Sequence, residues 1–270
     1  MKQLSIGTKT SVPYSNYLAQ VPCYQDGTES VNQALDVSGK GNHLALCSGL
    51  TEGAAWATPG QLAIAYSTTV DGAVKLAAAA ANTLDFDSGD HFIFAAEVQA
   101  TLPAATCRML AQGQSTTRCG VRFAMKTSGV VSPSIWTPSG QHTGTDSQFA
   151  LGEASPTVWS QYFVYLGGKA LDGAGIVRYA QGRNGTLDAT VYRTITGVGA
   201  MNTNRLDDLY VGGYFEFGNG NTLAAKWRNI HMIRIPASAV ADLPFLRVAR
   251  LASRLARSPN LPVAAQELGL

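Results

Sequence analysis

Residues 35 to 46 read Leu35-Asp36-Val37-Ser38-Gly39-Lys40-Gly41-Asn42-His43-Leu44-Ala45-Leu46. Two glycines one residue apart, flanked by Asp36, Ser38 and Asn42, make a tight turn. Glycine reaches positive φ without steric cost, and Asp, Ser and Asn side chains bond their own backbone there. Directly after the turn, Leu44 and Leu46 alternate as in a half-buried strand.

Downstream, the chain keeps producing strands. His91-Phe92-Ile93-Phe94-Ala95-Ala96-Glu97-Val98 is one, and Val158-Trp159-Ser160-Gln161-Tyr162-Phe163-Val164-Tyr165 is another. Then come Val177-Arg178-Tyr179-Ala180-Gln181-Gly182-Arg183-Asn184-Gly185, Leu209-Tyr210-Val211-Gly212-Gly213 and the run from Trp227 to Ile235. The patterning predicts strands over 61–67, 91–99, 108–112, 120–126, 159–166, 176–181, 189–194, 209–214 and 225–235. Clusters of Gly, Pro, Ser and Asn separate them, as turns require. Many short strands with frequent turns argue for a sandwich or jelly roll over a parallel α/β fold. One stretch runs against this reading: Ala77 to Ala81 is helix-friendly.

The composition agrees. The 270 residues can bury a full core in one domain. Only 14% are charged while 28 are glycine, which suits a turn-rich β protein; the 46% apolar content excludes a disordered chain. A net charge of +2 is too small to make the whole surface a nucleic-acid partner. The start, Met1 to Thr8, lacks the apolar core of a signal peptide, and no apolar run reaches the length of a membrane span. Cys23, Cys47, Cys107 and Cys119 form no CxxC pair. Free buried thiols are the preferred reading, with a Cys107–Cys119 bridge as the lesser alternative.

The order of these segments resembles the laminin-G-like, or concanavalin-A-like, jelly-roll family. The shared features are the Asp-x-Ser-Gly-x-Gly-Asn turn at 36–42, the central aromatic strand at 91–98 and the Trp-led strand at Trp159. The Tyr179 hairpin, the Tyr-x-Gly-Gly strand at Tyr210 and a closing strand follow. The resemblance spans roughly residues 30 to 236 and implies an all-β antiparallel sandwich. Residues 1–29 then form an N-terminal arm or first strand, and 237–270 a helix and extended tail. Ser238 is suited to cap that helix, which Pro259 stops. Phe245, Val248, Ala249, Ala252, Leu255 and Ala256 fall on its apolar face, and Arg247, Arg250, Arg254 and Arg257 on the opposite one. The arginine stripe is a candidate assembly interface.

Catalytic patterns are absent from the sequence. Glycosidases on such a sandwich need two facing carboxylates, but Glu97 and Glu216 each stand alone in their segments. There is no Gly-x-Ser-x-Gly elbow, His-Glu-x-x-His helix or phosphate-cradling loop. His43, His91, His142 and His231 are widely spaced for a zinc site. No cofactor is expected. The weak metal candidate is the loop 85–90, where Asp85, Asp87 and Asp90 offer hard oxygen ligands for calcium. Sugar binding would use aromatic platforms beside amides. Trp136 and His142 in the loop 136–142 are candidates, as are Tyr214, Phe217, Asn219 and Asn221 in the loop 214–221. The second segment also suits a hairpin whose rings turn into the core, and both readings stand.

Family members usually act outside cells, yet this chain shows no export signal and leaves its cysteines unpaired. Bacteriophage particle proteins satisfy both conditions: they are made in the bacterial cytoplasm and work in the virion. The resemblance therefore implies a non-enzymatic virion structural protein of tail, baseplate or capsid surface. It would form a homo-oligomer, contact other virion proteins and touch host-surface glycans, with no nucleic-acid partner and no membrane insertion. The alternatives are a carbohydrate-binding module and, third, a glycoside-active enzyme.

Overall fold

A computed structural model describes residues 17–21, 33–34, 36, 40–47, 62–64, 74–79, 89–113, 116–117, 119–169, 175–189, 192–201, 207–213 and 222–235. Every regular element among them is a strand. In chain order they are β1 (Tyr17–Val21), β2 (Gln33–Ala34), β3 (Leu44–Leu46), β4 (Leu62–Ile64), β5 (Val74–Leu76) and β6 (His91–Thr101). Next are β7 (Cys107–Gln112), β8 (Gly120–Met125), β9 (Val131–Thr137), β10 (Gly140–Thr143), β11 (Gly152–Glu153) and β12 (Ser160–Lys169). The last are β13 (Val177–Arg183), β14 (Thr186–Leu187), β15 (Arg193–Ile195), β16 (Leu209–Val211) and β17 (Ala225–Ile235).

They form two sheets. The first runs β1-β17-β6-β12-β13-β14, with β4, β11 and β15 pairing at strand ends; the second runs β10-β9-β8-β7-β16-β5-β3-β2. Apart from the short parallel contact of β11 with β6, the named strand pairs are antiparallel. This is the all-β antiparallel sandwich. Phe92, Phe94 and Val98 of β6, with Tyr162 and Val164 of β12, meet Leu110, Phe123 and Ile135 of the second sheet in one core.

The first sheet is buried on both faces at its centre. Ile93, Ala95, Phe163, Tyr165, His231 and Ile233 point away from the inter-sheet core, yet none is more than 2% exposed. This explains why 92–96 reads as an unbroken apolar run instead of alternating, since a strand covered on both sides has no wet face.

The described residues of the opening segment bond as their types dictate. The Asn42 N–H donates to the Asp36 carboxylate at 3.0 Å, the Asp36 N–H donates to His43 Nδ1 at 3.1 Å, and Gly41 takes φ 69°. The final strand spans the predicted 225–235 and carries a bulge between Arg228 and His231. Asn229 sits there at φ 50°, a conformation that asparagine tolerates better than most residues.

Several expectations need correction. Residues 77–79 form no helix; Val74–Leu76 is a strand, and the Ala78 N–H is held by Asp208 at 2.8 Å. The segment 136–142 is a β-hairpin, not a loop. Of the strand expected over 189–194, the described residues show only its end, Arg193 and Thr194 of β15, with β14 lying before it at Thr186–Leu187. Cys107 and Cys119 lie towards opposite ends of the β7–β8 pair, so adjacency of strands does not bring them together and no bridge joins them. Burial pushes the Cys107 thiol up to about 11, an unreactive state at neutral pH. Of the assigned segments, Tyr17–Val21 pairs with β17 as a strand of the body, while the helix and tail over 237–270 lie outside the described residues.

Candidate glycan-binding cleft

The segment from β13 into β14 contains the dipeptide Asn184-Gly185. Both residues take positive φ, 52° and 80°, and Arg183 pairs directly with Thr186. This is the two-residue hairpin that Asn-Gly favours, because its twist matches the flanking strands. Gly182 permits the close approach: a Cβ there would lie 2.2 Å from the Thr186 carbonyl oxygen and 2.4 Å from the Phe163 ring. Gly182→Ala is expected to destabilise the protein by about 1–3 kcal/mol through overpacking, measurable by urea unfolding.

The segment after β10 runs back along β9, its Gly144 and Ser147 N–H groups donating to the Pro133 and Val131 carbonyls at 2.8 Å, and reaches this hairpin through the Gln148 N–H bond to Asp188. Together they border an open cleft of about 400 Å³ lined by Gln148, Phe149, Arg183, Asn184, Thr186, Leu187 and Asp188. That volume lies within the range of small-ligand sites. Phe149 forms an apolar wall, its ring edge-on to Tyr162 at 6.4 Å.

The polar walls are braced. Arg183 donates through Nε to Ser160 Oγ at 3.1 Å, through Nη1 to the Ala150 carbonyl at 2.5 Å and through Nη2 to Glu153 at 2.8 Å. Asp188 is 6% exposed. Its Oδ1 accepts the Gln148 N–H at 2.5 Å, and its Oδ2 accepts from Gln181 at 3.4 Å and pairs with Arg193 at 3.1 Å. Arg193 also donates to the Asp146 carbonyl at 2.6 Å. Behind them the Tyr162 hydroxyl donates to Gln181 at 3.3 Å. Burial, reinforced by the nearby Asp188 carboxylate, raises the Tyr162 pKa well above its ordinary value, so this donor stays protonated.

Of the residues singled out from sequence, Trp136, His142 and Asp90 are described, and none of the three lines this cleft. Trp136 opposes Gln141 and His142 opposes Ile135 on the β9–β10 hairpin, so Trp136 and His142 occupy opposite faces and do not form one platform. His142 Nε2 lies 2.9 Å from the Thr137 hydroxyl and 3.3 Å from that of Ser139, where it ties the hairpin tip. Trp136 is half-buried with its indole N–H unpartnered, on the same face as the unpartnered Ser132 and Ser134 hydroxyls. Tyr214, Phe217, Asn219 and Asn221 lie outside the described residues, as do Asp85, Asp87 and the Arg247, Arg250, Arg254 and Arg257 stripe. Asp90 is described, and its carboxylate holds Arg234 at 2.5 Å. Among the described residues no group of three His, Cys, Asp or Glu side chains gathers as a metal site. Glu97 is 9% exposed and accepts from Arg228 at 2.5 Å and Asn229 at 2.9 Å, which makes it the staple of the β17 bulge.

Sequence reasoning missed the cleft. Its one local signal is Asn184-Gly185; the other walls are brought in from up to 40 positions away in the chain.

No protein-family model matches the chain, and no curated protein matches it. Solved structures do. A structure of botulinum neurotoxin type C, whose cell entry depends upon interaction with two ganglioside molecules, aligns at TM-score 0.50 and 9% identity over 90% of this chain and 52% of the toxin chain. The Ruminococcus gnavus IT-sialidase CBM40 bound to alpha2,3 sialyllactose aligns at TM-score 0.40 and 14% identity, over 56% of this chain and 76% of that one. A Trypanosoma rangeli sialidase aligns at 0.48 and 12% identity, over 86% and 34%. This chain thus spans about half of the toxin chain and a third of the sialidase. At these identities the likeness is one of fold.

Proposed function

We propose that this chain is a non-catalytic carbohydrate-binding module that seats a sugar in the Phe149–Asp188 cleft. The observation that carries the reading is the cleft itself, with a volume suited to a small ligand, one aromatic wall and polar walls held rigid by their own bonds. A sugar presents hydroxyls and a C–H face, and such walls meet both. Walls already locked before binding lose little freedom when a ligand arrives. Among the lining residues Asp188 is the one carboxylate, and it is committed to Arg193 and Gln148. Glycoside hydrolysis of the usual kind needs two carboxylates across the sugar, so the cleft favours binding over cleavage. The reading also agrees with the fold shared with the neurotoxin structure, whose interaction with gangliosides is a case of glycan binding on such a fold; the charge of the sugar taken here depends on this chain's own residues. The virion-component reading, with its homo-oligomer and neighbouring virion proteins, rests on the sequence resemblance alone and takes second place.

Thr186 is exposed at the cleft rim and supports no core contact. Thr186→Ala is expected to weaken glycan affinity about five- to tenfold, the worth of one hydrogen bond, with an unchanged melting temperature. A glycan array followed by calorimetry on the best ligand checks this. Undiminished affinity in the variant would remove the cleft from consideration.

A further inference from the structure

The charges in the cleft speak to the kind of sugar, and the following rests on the glycan-binding reading of that cleft. We infer that the ligand is a neutral, hydroxyl-rich oligosaccharide, and that carboxylated or sulfated sugars are disfavoured. Recognition of an anionic group relies on a guanidinium fork or ammonium group able to turn towards it. Arg183, which lines the cleft, and Arg193, which stands behind Asp188, are both already engaged elsewhere. Arg183 uses Nε, Nη1 and Nη2 on Ser160, Ala150 and Glu153, three partners in three directions. Arg193 uses Nη1 on Asp188 and on the Asp146 carbonyl. Each positive charge is matched by one negative charge within 3.1 Å, Glu153 for Arg183 and Asp188 for Arg193, so the site presents no net charge to an incoming anion.

Redirecting Arg193 has a further penalty. The Asp188 side chain is 2% exposed. Withdrawing Arg193 would leave that carboxylate buried without its counter-charge, which is strongly unfavourable. A ligand carboxylate in the cleft would also sit close to Asp188, which lines it, where like charges repel.

The groups turned to the ligand are of another kind. The Thr186 hydroxyl donates one hydrogen bond and accepts others, as does every sugar hydroxyl. With its amide oxygen and nitrogen assigned to suit both neighbours, the Gln148 carboxamide donates to the Asp188 carbonyl at 2.7 Å and accepts from Arg193 Nη2 at 3.3 Å. That leaves it one N–H and one lone pair, both donor and acceptor capacity, for the ligand. Such amphoteric partners complement hydroxyls that must both give and receive, and they offer an anion little that water does not.

The test is a glycan array of matched pairs, each neutral oligosaccharide beside its sialylated, uronic-acid or sulfated form, probed with the full chain. The best pair is then measured by calorimetry in low and high salt. The expected result is that the neutral member binds at least about tenfold tighter and that its affinity changes less than about twofold with salt. An acidic member that binds as well or better, or an affinity that collapses in high salt as screened ion pairs do, overturns the inference while leaving the glycan-binding reading intact. Binding to no member of the array would sink that reading and this inference with it. Glu153→Gln provides an independent check. With Arg183 released from its carboxylate, the ratio of acidic to neutral affinity should rise about tenfold; an unmoved ratio would show that the Arg183–Glu153 pair does not set the selectivity.

Discussion

Asp188→Ala is expected to lower stability by about 3–5 kcal/mol and to abolish glycan binding. The carboxylate ties three chain segments together: the Gln148 backbone, Gln181 in β13 and Arg193 in β15. Its side chain is 2% exposed and that of Arg193 16%. Removing one partner from a buried ion pair leaves the other charged and poorly solvated, and losses of about 3–5 kcal/mol are usual. The Gln148 N–H would lose its acceptor at the same time. Urea unfolding at neutral pH measures the first effect and calorimetry the second. A double variant with Arg193→Leu, which removes both charges, should recover part of the stability but not the binding. If Asp188→Ala is as stable as the parent, the carboxylate is not the brace that its contacts suggest.

The second large effect concerns pH. His231 is 1% exposed on the outer face of the first sheet, and neither ring nitrogen has a hydrogen-bond partner. Burial lowers its pKa from 6.5 to about 4. The unfolded chain therefore binds a proton at pH values where the folded chain does not. The stability from a neutral His231 is complete above pH 6.5, is lost as pH falls from there, and is gone below about pH 4. Each tenfold difference in proton affinity is worth about 1.4 kcal/mol, so the whole drop amounts to ~3 kcal/mol. His91 acts in the same direction: burial also lowers its pKa to about 4, with Asp90 opposing. It is less buried and its share is correspondingly smaller. His231→Leu should flatten the stability curve between pH 6.5 and 4. It should also stabilise the protein at neutral pH, because two unsatisfied ring nitrogens leave the interior. A variant with the parental acid slope would assign that slope to other groups.

Much of the strand order could be read from the residues. His91–Thr101 and Ala225–Ile235 stand out because aromatic and branched side chains run between turn formers. The hairpin β9–β10 could not be read in the same way. Ser132, Pro133 and Ser134 in β9 look like loop residues, and β10 is just Gly140-Gln141-His142-Thr143. They are strands because β8 supplies a partner along Gly120–Met125, so the ladder overrides local preference. The same register separates Trp136 from His142, which neighbouring positions in the sequence suggested as one surface.

By itself, the sequence determined the all-β class, the bonding of Asp36 with Asn42 and the strands of the central sheet. Those depend on alternation and on turn chemistry, and both act within a few residues. Only the tertiary structure decided that the first sheet is buried on both faces, that Glu97 staples a bulge, and that Gln148, Arg183 and Asp188 share a cleft. The reason is physical: burial and ion pairing depend on which strands lie side by side, and contacts between residues 30 to 132 positions apart leave no local pattern to read.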